Sequence, residues 1–309
     1  GRKRRLTILF NKPPYLENVL PMYTEFYGLK ENPFKLSPEP GYLFLSEQHR
    51  DALNYMIYGI VEKKGFMMIS GDIGTGKTTI CRALLAVLDG LVETALIFNT
   101  AISEMDLLET ICREFGIPFS DEPMTKKAYV DALNGFLLVN FSEGRNAVLL
   151  IDESQNLSHG VLEQIRMLSN LETEKEKLLN IILVGQPELK TTLALPALRQ
   201  LNERITVRCE LRSLSPDDVR RYIVHRLRVA GGPGNIQITS GAYHLIYHFS
   251  EGIPRRINAI CDRALLIAYT KNAMKIDRGI IRKAVQDIGM DYFQKTSSSA
   301  RKLWMRLTA

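Results

Sequence analysis

Between Gly71 and Thr78 the chain reads GDIGTGKT, a glycine-spaced run closed by a lysine and a hydroxyl residue. Gly71, Gly74 and Gly76 admit backbone conformations closed to residues with a Cβ, so that successive amide N–H groups can turn inward onto phosphate oxygens. A helix start favours the same anion. Lys77 then supplies a mobile positive charge for the β and γ phosphates of a nucleotide, and the Thr78 hydroxyl a hard oxygen ligand for Mg²⁺. The expected binding loop comprises Gly71, Asp72, Ile73, Gly74, Thr75, Gly76, Lys77, Thr78 and Thr79. At background frequencies a chain of this length shows the full pattern about once in a hundred by chance. The competing explanation, a glycine turn carrying a solvated lysine, loses to the flanks. FMMIS from Phe66 to Ser70 is a buried-strand run, and Ile80, Cys81, Leu84, Leu85 and Leu88 recur at helical spacing.

A second chemical group follows about 75 residues after Lys77. AVLLI, Ala147 to Ile151, is another buried-strand run and ends at Asp152 and Glu153, a pattern that resembles the second nucleotide-site signature, Walker B. There Asp152 joins Thr78 in ordering Mg²⁺, and Glu153 accepts the proton of the water that attacks the γ phosphorus. An apolar run followed by acids is common, and two acids exposed in a turn would look the same; position after the glycine loop is what gives the pair meaning. Asn180 to Val184 (NIILV) brings Gln186 out at the same carboxyl edge, where open α/β sheets bind ligands. Gln186 there either positions water or caps its strand. His244 and His248 stand four apart, but HLIYH lacks the glutamate of a zinc protease motif and reads as structural.

These groups need a scaffold that carries them all to one rim. Strand runs alternate with helical patterns: a helix over Glu47–Glu62, a strand Thr94–Phe98, helices Asp106–Phe115 and Lys126–Asn140, and a last strand Ile205–Glu210 after LRQLNER. Alternation of this kind predicts a parallel sheet covered by helices on both faces. Ser215, Pro216, Asp217 and Asp218 then make a strong helix start. Beyond it only helices are expected, at 216–229, 240–250, 254–271 and 277–287. The expected organisation is an irregular basic extension over 1–21, an α/β nucleotide-binding domain over 22–211, a small all-helical lid domain over 212–290 and a basic tail over 291–309. Met22 looks like a natural start.

With 309 residues, 45% hydrophobic and 24% charged, the chain has an ordinary globular composition. No apolar run reaches the ~18 residues of a membrane span and no signal segment opens it, so a cytoplasmic location is expected. Cys81, Cys112, Cys209 and Cys261 stand singly, without metal or redox spacing. The net charge of +6 owes much to GRKRR and RKLWMR at the ends, which suit solvated tails, nucleic-acid contacts or membrane-surface contacts alike.

An α/β nucleotide domain with both signatures and a helical lid resembles the AAA+ ATPases, the P-loop proteins that remodel other macromolecules. Gly252-Ile253-Pro254-Arg255 matches their sensor 2 pattern, and Arg204, with Arg199 as fallback, lies where they carry an arginine finger that completes a neighbour's site. The opening is more specific. Phe26-Tyr27-Gly28-Leu29, Asn32-Pro33-Phe34, Leu43-Phe44-Leu45-Ser46, His49-Arg50-Asp51-Ala52-Leu53 and Tyr58-Gly59 look like the start of the ExeA, or general secretion pathway protein A, family, and Val184-Gly185-Gln186-Pro187-Glu188-Leu189 is similar to its sensor 1 stretch. The resemblance covers about Met22 to Ile288. It implies ATP and Mg²⁺ as cofactors, hydrolysis of ATP, a homo-oligomeric ring with the finger acting in trans, and secretion or envelope assembly proteins as partners. Family members continue into a transmembrane helix and a periplasmic domain, so the chain would be the cytoplasmic part of an inner-membrane protein. A second class, DNA-associated switches resembling transposition regulators and replication initiators, draws on the basic ends and on RRYIVHRLR from Arg220 to Arg228. A nucleotide-dependent scaffold with little turnover is a third, opposed by the presence of Glu153.

Overall fold

The computed structural model describes residues 23–36, 40–98, 100–118, 124–174, 176–232 and 235–289. The basic runs assigned to 1–21 and 291–309, and Met22, lie outside the described residues. The chain forms two compact units. Among the described residues, one takes 40–218 with Gly252–Arg255; the other takes Val219–Glu251, 256–289 and 23–36.

The first unit is built on five parallel strands, β1 (Phe66–Gly71), β2 (Val92–Ile97), β3 (Asn146–Ile151), β4 (Asn180–Gly185) and β5 (Ile205–Leu211), in the order β2-β3-β4-β1-β5. Alternate side chains leave a strand on opposite faces. Met67, Ile69, Val148, Leu150, Ile182 and Val184 pack with residues of α2 (Glu47–Val61) and α3 (Lys77–Leu88). Met68, Leu149, Ile151, Ile181 and Leu183 pack on the other side with residues of α4 (Glu104–Glu114), α5 (Lys126–Ser142) and α6 (His159–Leu168). Burial on both faces is why FMMIS, AVLLI and NIILV are unbroken apolar runs rather than alternating ones.

The register decides what the loops can do. Ile97 pairs with Ile151, Ile151 with Leu183, and Ser70 with Gly185, so the loops after β1, β3 and β4 leave one rim together. Ile205 pairs with Phe66, at the start of β1. Arg204 therefore lies on the opposite rim of its own chain, about 20 Å away across a six-residue strand. Three short or glycine-bearing helices lack a clear sequence pattern: α6, α7 (Glu188–Leu193) and α8 (Arg199–Arg204). Ser158 caps α6 by accepting from the Val161 amide at 3.3 Å.

The second unit contains most of α9 (Pro216–Val229) and of α11 (Pro254–Thr270), with α10 (Ser240–Ser250) and α12 (Arg278–Ile288). The expectation that strands end with β5 is corrected here. Gln237–Ile238 and Lys275–Ile276 form a two-stranded parallel ladder, each strand too short to show a period of two. Residues 23–36, assigned from sequence to the α/β domain, pack in this unit instead. The Tyr23 hydroxyl donates to Asp262, Asn32 donates to the same carboxylate at 2.8 Å, and the Lys30 amide donates to the Ala230 carbonyl at 2.8 Å. Tyr27 and Phe34, each 2% exposed, are its anchors. The basic stretch RRYIVHRLR is partly turned inward. Arg226 is buried and donates to the Pro33 carbonyl and, at 3.1 Å, to the Tyr222 hydroxyl, while Arg220 lies over the Tyr243 ring.

Candidate functional site

The loop between β1 and α3 is held from behind. Gly74 and Gly76 have φ of 81° and 103°, a region costly to residues with a Cβ. A Cβ on Gly76 would also stand 3.1 Å from His49 Nε2. That imidazole, 3% exposed, donates from Nε2 to the Thr75 carbonyl at 3.0 Å and accepts at Nδ1 from the Ser46 hydroxyl at 2.5 Å. This pairing fixes one tautomer. Burial holds the His49 pKa below the usual histidine range, opposed by the Thr75 hydrogen bond and the Asp218 carboxylate. Thr75 closes the turn, its hydroxyl donating to the Asp72 carbonyl at 2.8 Å.

Lys77, the first residue of α3, is 7% exposed, and its ammonium donates to the carbonyls of Gly71 at 2.8 Å and Asp72 at 3.0 Å. Burial lowers its pKa, and the carboxylates of Glu153, Asp152 and Asp72 oppose that shift. The Thr78 hydroxyl donates to Asp152 at 3.1 Å. A hydroxyl and a carboxylate at that spacing are the hard oxygen donors that Mg²⁺ takes while keeping several waters. The loop, with two positive-φ glycines, a buried ammonium and a helix start, likewise fits a polyphosphate. Asp72 and Ile73 are exposed along the loop, and Thr79 is half-buried on α3.

Across the same rim, Asp152 is buried at the end of β3 and Glu153 follows with a left-handed φ of 51°. The Glu153 carboxylate accepts from Gln155 Nε2 at 2.5 Å and from Gln186 Nε2 at 3.4 Å. The Gln186 amide donates to Gln155 Oε1 at 2.9 Å. Arg255, exposed, belongs with this unit, and its Cβ lies 3.0 Å from where a Cβ on Gly74 would stand.

The structure thus gathers Lys77, Thr78, Asp152, Glu153, Gln186 and Arg255 around one rim. It does not bring Arg204 there. The Arg204 guanidinium caps the end of α6, donating to Ser169, to Asn170 Oδ1 at 2.8 Å and to the Arg166 carbonyl at 3.3 Å. Arg199 pairs with Glu203 at 2.8 Å, exposed on both sides. Sequence reasoning missed His49 as a loop support and Gln155 altogether. His49 carried a signal, standing three residues after Ser46 at a helix start, but that spacing suggests a capping arrangement rather than a hydroxyl turned to an imidazole.

Residues 61–193 match a family model described as AAA domain. General secretion pathway protein A of Aeromonas hydrophila is 46% identical over 267 residues, which are 86% of this chain and 48% of that protein. The chain therefore spans about half the length of that relative. Among solved structures, the Aeropyrum pernix ORC2 protein in ADPNP–ADP complexes has a TM-score of 0.60 at 16% identity, covering 86% of this chain and 75% of that one. Cdc6p from Pyrobaculum aerophilum has a TM-score of 0.61 at 16% identity, covering 82% and 70%. Identity this low speaks for the fold alone, and the fold is that of a P-loop nucleotide-binding domain. Loop, acidic pair, strand order and sequence kinship agree: the chain carries an AAA domain of P-loop fold and is similar to general secretion pathway protein A.

Proposed function

We propose that this chain binds and hydrolyses Mg²⁺-ATP as the motor or switch of an assembly machine in type II secretion, such as secretin assembly, or in related envelope biogenesis. The observation that carries the chemistry is the convergence of Lys77, Thr78, Asp152, Glu153 and Gln186 on one rim of the sheet. The loop amides from Gly71 to Thr79 and the Lys77 ammonium bind the phosphates. Thr78 and Asp152 hold Mg²⁺, which supplies charge neutralisation at the phosphate oxygens. Glu153 takes a proton from water as the water oxygen bonds to the γ phosphorus and the bond to the β–γ bridging oxygen breaks, leaving ADP and phosphate. Gln186 orients that water, and Arg255 answers charge on the γ phosphate.

The biological assignment rests on 46% identity to a protein named for general secretion. A homo-oligomer suits Arg204, which serves a neighbour's site because its own lies on the other rim. The protein would act at the cytoplasmic face of the inner membrane; among the described residues no helix is long and apolar enough to cross a membrane. Burial of Arg226 against the Pro33 carbonyl takes one arginine of RRYIVHRLR away from any DNA contact, which weakens the DNA-switch alternative. The test is phosphate release from Lys77→Ala and Arg204→Ala variants, alone and mixed. Each is inactive alone, and activity returns on mixing because an intact loop from one subunit meets an intact Arg204 from the next. Unchanged ATP affinity in the lysine variant would overturn the site; failure of mixing to restore turnover would overturn the trans arginine.

A further inference from the structure

Between the acidic pair and Gln186 sits a side chain to which neither motif assigns a role. Gln155 Nε2 donates to Glu153 Oε2 at 2.5 Å, and Gln155 Oε1 accepts the Gln186 backbone amide at 2.9 Å. The residue is half-buried, and both ends of its amide are spent on catalytic-rim neighbours. One bond fixes the carboxylate of the base; the other ties the turn after β3 to the turn after β4. Room for this comes from Gly185. A Cβ there would stand 2.8 Å from Gln155 Oε1 and 3.3 Å from the Gln155 amide nitrogen. Glu153 itself is in the left-handed region, where a non-glycine residue persists only if its surroundings hold it.

We infer that Gln155 is a positioning residue that clamps Glu153 in register with Gln186, so that the base and the γ-phosphate sensor move as one element. An amide suits the task because it donates at one end to a carboxylate and accepts at the other from a backbone N–H. No other side chain of this length does both at neutral pH. The inference rests on the proposed hydrolytic role of Glu153, and the experiment separates the two.

Phosphate release and equilibrium ATP binding are measured on the same full chain for wild type, Gln155→Ala, Gln155→Glu, Gly185→Ala and the Gln155→Ala/Gly185→Ala pair. Gln155→Ala lowers kcat by about tenfold or more, short of the 10²–10⁴-fold that a general base contributes, and leaves ATP affinity within about twofold. Gln155→Glu keeps the size and the acceptor for the Gln186 amide but sets a carboxylate against Glu153, so it fares no better than alanine. The double variant is no worse than Gly185→Ala alone, because that change already displaces the Gln155 amide, besides its own contact with Leu189 Cδ2 at 3.0 Å. Wild-type turnover in Gln155→Ala, rescue by Gln155→Glu, or losses that multiply in the pair would each overturn the clamp while leaving the base intact. Absence of hydrolysis by the wild-type chain would overturn the base, and the clamp with it.

Discussion

Replacing His49 by leucine isolates the support beneath the phosphate-binding loop. The imidazole, 3% exposed, is the hydrogen-bond donor to the Thr75 carbonyl at 3.0 Å, and leucine fills similar space without an N–H. A buried carbonyl left without its donor costs about 1–3 kcal/mol. Nucleotide binds only the ordered loop, so apparent affinity falls by the fraction of chains in which that loop is no longer preformed. At about 1.4 kcal/mol per tenfold, the ceiling on the loss is roughly 5- to 150-fold. His49→Gln is the control, because its amide nitrogen reaches nearly as far as Nε2 and restores a donor. Isothermal titration with ATP, alongside thermal melts, should give weakened binding for leucine and recovery of most of it for glutamine. Leucine binding within twofold of wild type would refute the idea that this carbonyl is held by the imidazole for the sake of the loop.

Acid should act through the same ring. The His49 pKa is lowered by folding, so in the window below the unfolded value of about 6.5 the unfolded chain binds more protons. Its contribution is present above that value and is lost as pH falls through the folded pKa; the wild-type melting temperature should drop more steeply below pH 6.5 than that of His49→Gln. Gly74→Ala forces a Cβ into φ 81° and to 3.0 Å from Arg255 Cβ, which should cost roughly 1–2 kcal/mol and weaken ATP binding measured by titration. Arg226→Leu strips the donor from the buried Pro33 carbonyl and the Tyr222 hydroxyl. It should lower stability by about 1.5–3 kcal/mol in urea melts while ATP affinity of the folded chain holds.

The shared placement of Lys77, Thr78, Asp152 and Glu153 on one rim was legible because each sits within a few residues of the strand end that aims it. The parallel sheet was legible for a related reason, since strands buried on both faces leave unbroken apolar runs. His49 and Gln155 were not, because their partners Thr75 and Gln186 lie 26 and 31 residues away, and neither spacing marks a motif. The segment with Tyr23, Tyr27 and Phe34 was assigned to the wrong unit for the same cause, its partners Asp262 and Ala273 lying well over 200 residues downstream. Arg204 shows the limit from the other side. Position before β5 is local and was read correctly, but its hydrogen bonds to Ser169 and Asn170 depend on α6, whose glycine-bearing start hid the helix.

Glu153 acting as the base of an ATP site built around Lys77 carries the proposed mechanism. It is tested most directly by trapping: Glu153→Gln is loaded with ATP and Mg²⁺, freed of excess nucleotide, and the retained nucleotide is identified after a chase. Retained ATP in the variant, where wild type yields ADP and phosphate at equal initial affinity, is the predicted result. Conversion to ADP at the wild-type rate would contradict the account.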